Sequence, residues 1–273
     1  MNRDNPSGRI ENSWKTLNRF TSARIGLGRA GVSQTTQHQL AFQLAHACAQ
    51  DAVSRPMQWQ GIHQTAFELQ LSQLHLHSQA QTRDIYLQRP DLGRQLSQAS
   101  EEEIQRWKSK YTGAHRCVLV VADGLSSTGV EQHVPSLLRA LTSRLAESRH
   151  ALSPSLLCTV EQGRVAIGDV VAALTDAMFL VVIIGERPGL SSPDSLGIYF
   201  TYQAGRGVTD ADRNCISNIR PAGLGFDDAA KRLLWLMDSA AVRKTSGVEL
   251  KDDSGEDNRF SPSDAGKNFL IPQ

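Results

Sequence analysis

The stretch FLVVIIGERPGLSSPD, Phe179 to Asp194, joins an unbroken apolar run to a carboxylate, a guanidinium and two prolines. Glu186 and Arg187 supply that carboxylate and that guanidinium directly after the run. Continuous apolar runs rich in β-branched residues belong to strands covered on both faces, so Phe179 to Ile184 is expected to be a buried parallel strand that Gly185 ends. In open α/β sheets ligands lie beyond the carboxyl ends of the strands, which puts Glu186, Arg187 and the following loop where a ligand would sit. Pro188 and Pro193 stiffen that loop.

Other residues able to do chemistry sit in comparable places. Asp123 follows the apolar run Cys117 to Ala122, and Arg164 and Val165 lie in a glycine-bracketed loop, Gln162 to Asp169, after a run from Ser155 to Val160. Ser126 and Ser127 lack a partner histidine nearby, so they read as helix caps and not as nucleophiles of a triad. Cys215, in the polar segment Asp210 to Arg220, has no neighbouring lysine or histidine to activate it and reads as a packing residue. His38 and His46 read as ordinary helix histidines, and His75 and His77 are expected on different sides of a helix, unable to share a metal. The four cysteines, Cys48, Cys117, Cys158 and Cys215, form no CxxC pair, which argues against a zinc site or a disulfide framework. No metal centre and no catalytic side chain are therefore assigned.

The elements that hold these residues alternate. From Cys117 the order strand, helix, strand, helix, strand predicts an α/β domain with a doubly wound, mostly parallel, Rossmann-like sheet. Leu196 to Tyr202 adds a further strand, and a final helix buries Phe226, Leu233, Leu234 and Met237. Before this domain the pattern is helical. Leu40, Leu44, Cys48 and Ala52 recur every four residues, which makes Cys48 a core residue, and a second helix is expected from Ile62 to Ala80. Arg83 to Gly93 is a charged segment around Pro90, and Ser100 to Glu103 fits a capping box. The division expected is 1–112, a helical region with a flexible N-terminal arm; 113–245, the α/β domain; and 246–273, a polar tail read as disordered from Lys251.

A net charge of +1 over 273 residues, with 40% hydrophobic residues, argues for a globular protein and against a general nucleic-acid binder. No apolar run approaches a membrane span and the first residues lack the apolar core of a secretory signal, so an intracellular protein is expected. Trp14 to Gly31 interleaves Arg19, Arg24 and Arg29 with Gly26, Gly28 and Gly31. It can be read as a phosphate cradle or as an ordered loop whose arginines meet carboxylates of another chain. The first reading would make the protein a stand-alone Rossmann-type nucleotide-binding enzyme, although a Rossmann fingerprint needs a preceding strand.

The blocks FTSARIGLGRAG, LAFQLAHACAQDAV, YLQRPDLGRQL, VVADGLS, GRVAIGD, IGERPGLSSPDSLGIY, DADRNCISNIR and SGVELKD, in this order over residues 17 to 252, resemble the small (light) subunit of ethanolamine ammonia-lyase. Val170 to Thr175 departs from the family's usual run, and the tail beyond Asp252 falls outside the pattern. The resemblance implies an adenosylcobalamin-dependent lyase that converts ethanolamine to acetaldehyde and ammonia by a radical route. It further implies a large subunit, a separate (β/α)8 barrel, that carries the substrate site, with large and small chains paired in a hetero-oligomer. On this view Val165, Glu186 and Cys215 contact the cofactor. Arg24, Arg29 and the 83–93 segment become candidates for docking onto the large chain. The setting implied is the cytoplasm and, in many bacteria, a microcompartment.

Overall fold

A small antiparallel sheet opens the chain, with β1 (Arg9–Ile10) paired to β2 (Arg29–Ala30) and β2 to β3 (Ser33–Gln34). The computed structural model describes residues 8–111, 117–148, 150, 152, 154–205 and 207–254. The first residues of the N-terminal arm and the tail from residue 255 lie outside these, so the reading of both as flexible is not addressed by the fold. Helix α1 (Thr36–Ser54) follows, then α2 (Gln60–Glu68), β4 (Ser72–His77), the short α3 (Arg83–Gln88) and α4 (Gln98–Lys110). The rest alternates: β5 (Cys117–Ala122), α5 (Ser127–Leu145), β6 (Leu156–Glu161), α6 (Ile167–Thr175), β7 (Phe179–Gly185), β8 (Leu196–Tyr202), β9 (Asn214–Ile219) and α7 (Phe226–Arg243).

Strands β4 to β9 form one sheet in the order β4-β6-β5-β7-β8-β9. The four strands from β4 to β7 are mutually parallel, whereas β8 and β9 run antiparallel to their neighbours. The expectation of a mostly parallel doubly wound sheet is thus met by one half of it and corrected by the other. The reason is the connection: only Glu186 to Ser195 joins β7 to β8, too short and too proline-rich for the helical crossover a parallel return requires.

Side chains on the two faces of the sheet feed two cores. Leu119, Val121, Leu157, Val181, Ile198 and Phe200 pack against α2, α5 and α7. Val118, Val120, Cys158, Val160 and Val182 pack beneath α4 and α6, through Ile104, Ile167 and Val171. Every residue of β5 and β7 is buried, as their unbroken apolar sequences demand. Fully burying each of Leu137, Leu138, Leu141 and Leu145 on α5 is worth about 1.5–3 kcal/mol, which holds this helix despite Pro135 within it.

The N-terminal region is not wholly helical, because it contributes the edge strand of the main sheet. The second helix ends at Glu68, and Ser72–His77 is strand β4, with Leu74 and Leu76 buried between half-exposed neighbours. His75 and His77 therefore share one face, and both approach Glu161, at 2.9 and 3.7 Å. Helix α4 is capped by Ser97, whose hydroxyl accepts from Ser100 N at 3.3 Å, so the cap lies three residues before the expected box. On α1 only Ala52 is buried; Leu40, Leu44 and Cys48 are exposed, which overturns the assignment of Cys48 to the core. A 3-10 turn, Gly247–Glu249, carries the chain past Tyr202, whose N–H donates to the Ser246 hydroxyl, and Leu250 is buried behind it.

Candidate functional site

The loops after β5, β6 and β7 meet at one edge of the sheet. Asp123, only 2% exposed, accepts hydrogen bonds from the backbone N–H groups of Gly124 (2.9 Å), Gln162 (3.0 Å) and Gly163 (3.1 Å), and stands 3.6 Å from Arg83 Nη1. Burial pushes its carboxyl up to about 6, against the pull of Arg83 and the three N–H groups. The residue is a scaffold that fixes the turn into α6, with all its acceptor capacity committed inside the protein.

The crevice between β5 and β7, where an open α/β sheet would take a nucleotide, is closed by backbone. Gly124 has φ +59°, and a Cβ there would run into Gly185 O and the Ile184 side chain; Leu125 N donates to Gly185 O at 3.0 Å. The Gly-rich segment near Arg29 lies outside this sheet, between β1 and β3, so neither half of a Rossmann phosphate site is assembled.

The loop from Glu186 to Asp194 is clamped. His133 Nε2 lies 2.8 Å from Asp194 Oδ2, Arg220 Nη1 donates to Asp194 Oδ1 at 3.2 Å, and Ser126 Oγ donates to Pro193 O at 2.7 Å while capping α5. Burial works to raise the Asp194 carboxyl, but the bonds from His133 and Arg220 outweigh it and hold the group below the usual aspartate range. From the far side Arg24 Nη2 donates to Leu190 O at 3.3 Å, and its guanidinium lies 6.0 Å from the Phe42 ring centre. Arg24 thus ties the N-terminal segment to this loop, an intrachain contact that sequence reading did not foresee.

Glu186, Val165 and Cys215 come together on the side of the sheet that carries α6. Helix α6 covers β5 and β7 there and stops short of β8 and β9, whose Tyr199, Cys215 and Ser217 remain open to different degrees. Tyr199 is the cross-strand partner of Cys215 and lines the same cleft as Val165, a hollow of about 490 Å³. Glu186 is half-buried and reaches over β8: a Cβ on Gly197 would meet its Oε1 at 3.2 Å and Tyr199 Cε2 at 3.3 Å. Glu186 is held by Asn218 N, which donates to its two oxygens at 3.2 and 3.4 Å. Val165 and Glu186 lie at the tips of parallel strands β6 and β7, as expected, whereas Cys215 stands on the flank of an antiparallel strand.

Burial raises the Cys215 thiol, with Glu186 adding to the effect against the Tyr199 hydrogen bond, so the sulfur stays protonated. Burial likewise pushes the Tyr199 phenol up to about 12. The open strand face carries one carboxylate at its margin and adjoins a cleft with a charged lining of Arg94, Arg164, Asp210 and Arg213, an arrangement suited to contact and hydrogen bonding and not to nucleophilic attack. Among the described residues no group of three or more His, Cys, Asp or Glu could hold a metal ion, and no helix is long and apolar enough to cross a membrane. Tyr199 is the residue that sequence reading missed; its alternation in Leu196 to Tyr202 was the available signal.

Comparison with known proteins gives a consistent result. Residues 11–251 match the family model described as Ethanolamine ammonia-lyase light chain (EutC). The chain is 48% identical over 262 residues to the ethanolamine ammonia-lyase small subunit of Azotobacter vinelandii, covering 96% of each chain. It is 49% identical over 249 residues to the same subunit of Ralstonia nicotianae, covering 91% of this chain and 92% of that one.

Proposed function

The chain belongs to the ethanolamine ammonia-lyase light-chain family, and we propose that, as the small subunit of that lyase, it forms one wall of an adenosylcobalamin site through Val165, Glu186 and Cys215. The observation that carries this reading is the stretch of sheet left open beyond α6, flanked by the cleft at Val165. A corrin is broad and flat, apolar over much of its rim, with neutral amide arms that need donors and acceptors. Gly197 and Cys215 keep the wall low, Glu186 offers an acceptor to amide N–H groups, and the Tyr199 oxygen, whose proton is shared with Cys215, offers a second. The residues present fit the group.

Bound adenosylcobalamin supplies the radical chemistry, by homolysis of its cobalt–carbon bond, for conversion of ethanolamine to acetaldehyde and ammonia. This chain's part is to orient the macrocycle and shut out water. No proton transfer or nucleophilic step is assigned to it, in keeping with the protonated Cys215 thiol.

The large subunit, a (β/α)8 barrel on this reading, supplies the substrate site and docks on residues 1–112. Support comes from α1, whose Leu40, Phe42 and Leu44 are exposed, and from Trp14 and Phe20 in the preceding segment. Arg24 and Arg29 form no ion pair among the described residues and remain candidates for carboxylates of that partner. Residues 113–245 then face the corrinoid. Large–small pairs assemble further into a hetero-oligomer in the cytoplasm, within a microcompartment where one is made.

The test is a spectrophotometric cobalamin titration of the co-purified two-chain enzyme. Val165→Trp and Cys215→Trp should each weaken binding about tenfold or more while leaving co-purification intact. Unchanged affinity in both variants would overturn the assignment.

A further inference from the structure

We propose that Arg94 and Arg164 form an anion subsite in the cleft beside Val165, and that the anion is the phosphodiester of the corrinoid's nucleotide loop. The proposal rests on the corrinoid reading above and adds a residue-specific recognition element to it.

Three arginines, Arg94, Arg164 and Arg213, and one carboxylate, the fully exposed Asp210, line the cleft. Arg213 is spoken for. Its Nη1 and Nη2 donate to Asp169 at 2.6 and 2.9 Å, and its Nε lies 3.3 Å from Asp210. Arg94 and Arg164 have no carboxylate within ion-pair reach among the described residues. Arg94 is exposed.

Arg164 is held in place without being neutralised. Its guanidinium stacks on Tyr86, with Cζ 4.2 Å from the ring centre, and Nη2 donates to Tyr86 O at 3.1 Å. Arg83 approaches the same ring to 4.8 Å, so a second cation shares the clamp. The Nε of Arg164 is shielded from solvent and has no hydrogen-bond partner among the described residues. Arg83 is itself paired with Asp123, so the charge left unmet here is that of Arg164, and a fixed guanidinium with one donor desolvated and unpartnered is unfavourable until an anion arrives.

The two loops that carry the pair are tied together, because Arg164 N donates to Gly93 O at 2.8 Å. Arg94 and Arg164 therefore converge from α3's exit and α6's entry onto one cleft. Their planar forks match the spaced oxygens of a phosphate better than a single carbonyl. Val165, the adjoining residue, is the proposed corrin contact. Of the groups a cobalamin presents at its periphery, the amides are neutral and the phosphodiester alone is anionic. A carboxylate of the large chain is the other anion chemically able to fill the cleft.

The experiment compares adenosylcobalamin with adenosylcobinamide, which keeps the corrin and adenosyl group and lacks the nucleotide loop with its phosphodiester. Affinities are measured spectrophotometrically on the two-chain enzyme carrying Arg94→Gln, Arg164→Gln or both. Loss of charge-assisted bonds should weaken adenosylcobalamin about 10- to 100-fold in the double variant and leave adenosylcobinamide within about twofold. Arg94→Gln changes an exposed side chain and keeps the test open should Arg164→Gln fail to fold. Equal losses for both ligands, or no loss for either, would overturn the proposal. Failure of the variants to co-purify with the large chain would also overturn it, in favour of the partner's carboxylate. Val165→Trp is the control for the underlying reading, since it should weaken both ligands. If it weakens neither, the corrinoid reading fails; if it weakens both while the arginine variants change nothing, only the phosphodiester subsite fails.

Discussion

Arg213→Met probes the device that sets the spacing of the site. Arg213 immediately precedes β9, and its guanidinium reaches the first turn of α6, so the pair with Asp169 fixes the strand of Cys215 against the turn after Val165. Both side chains are withdrawn from water, Arg213 to 3% exposure and Asp169 to 9%. Asp210 is fully exposed at 100%, so its 3.3 Å approach is screened and adds little. Removing the guanidinium strands the Asp169 carboxylate in a dry pocket, which costs about 3–5 kcal/mol. Asp169→Asn keeps one acceptor for the cation and should cost less, about 2–3 kcal/mol. Replacing both, as Arg213→Met with Asp169→Leu, removes the buried charges together and should cost only about 0–2 kcal/mol. The assay is hydrogen exchange by mass spectrometry on the two-chain enzyme, following amides of β9 and α6. A loss of about 3 kcal/mol appears as roughly a 100-fold fall in protection in Arg213→Met, largely recovered in the double variant. Unchanged exchange in Arg213→Met, or a double variant as damaged as the sum of the singles, would refute the reasoning.

Two carboxylates should respond to pH in opposite senses. Asp194 is held below the ordinary range near 4, so it contributes stability above that value and loses it as pH falls through its folded pKa. Proteolysis of the 186–194 loop should therefore accelerate in acid, and Asp194→Asn should show fast cleavage at neutral pH as well; a pH-independent rate would count against the clamp. Asp123 is pushed up to about 6, above its unfolded value, so its ionisation costs on the order of 2–3 kcal/mol as pH rises from about 4 to about 6. Thermal melts of wild type and Asp123→Asn over that range should differ in slope, and parallel slopes would show that the burial penalty is offset. Iodoacetamide should modify exposed Cys48 readily, Cys215 slowly because its thiol is raised, and buried Cys117 and Cys158 not at all in the native chain. Assembly with the large chain should protect Cys48 if α1 is covered, as peptide mapping would reveal. Leu40→Asp with Leu44→Asp, on the open face of α1, should abolish co-purification with the large chain; retention of the pair would place the interface elsewhere.

What the sequence determined by itself was the buried centre. Apolar runs at β5, β6 and β7 are long, β-branched and doubly covered, so the strands and the loops at their tips were readable, and the quoted blocks carried the family. Tertiary structure decided the margins. Ser72–His77 is half-exposed, and its leucines fit a helical spacing as well as an alternating one, so only pairing with β6 made it a strand. The regular leucines of α1 look like a core face, yet the fold offers α1 little to pack against, and burial depends on what lies opposite and not on periodicity. The site itself needed three dimensions. Tyr199 joins it because β8 turns back antiparallel beside β7, and Arg94 and Arg164 line one cleft because Gly93 and Arg164 share a backbone hydrogen bond across 71 residues of sequence. Local pattern fixes which residues prefer to be inside; which polar groups end up facing one another is set by chain crossings that no window of sequence contains.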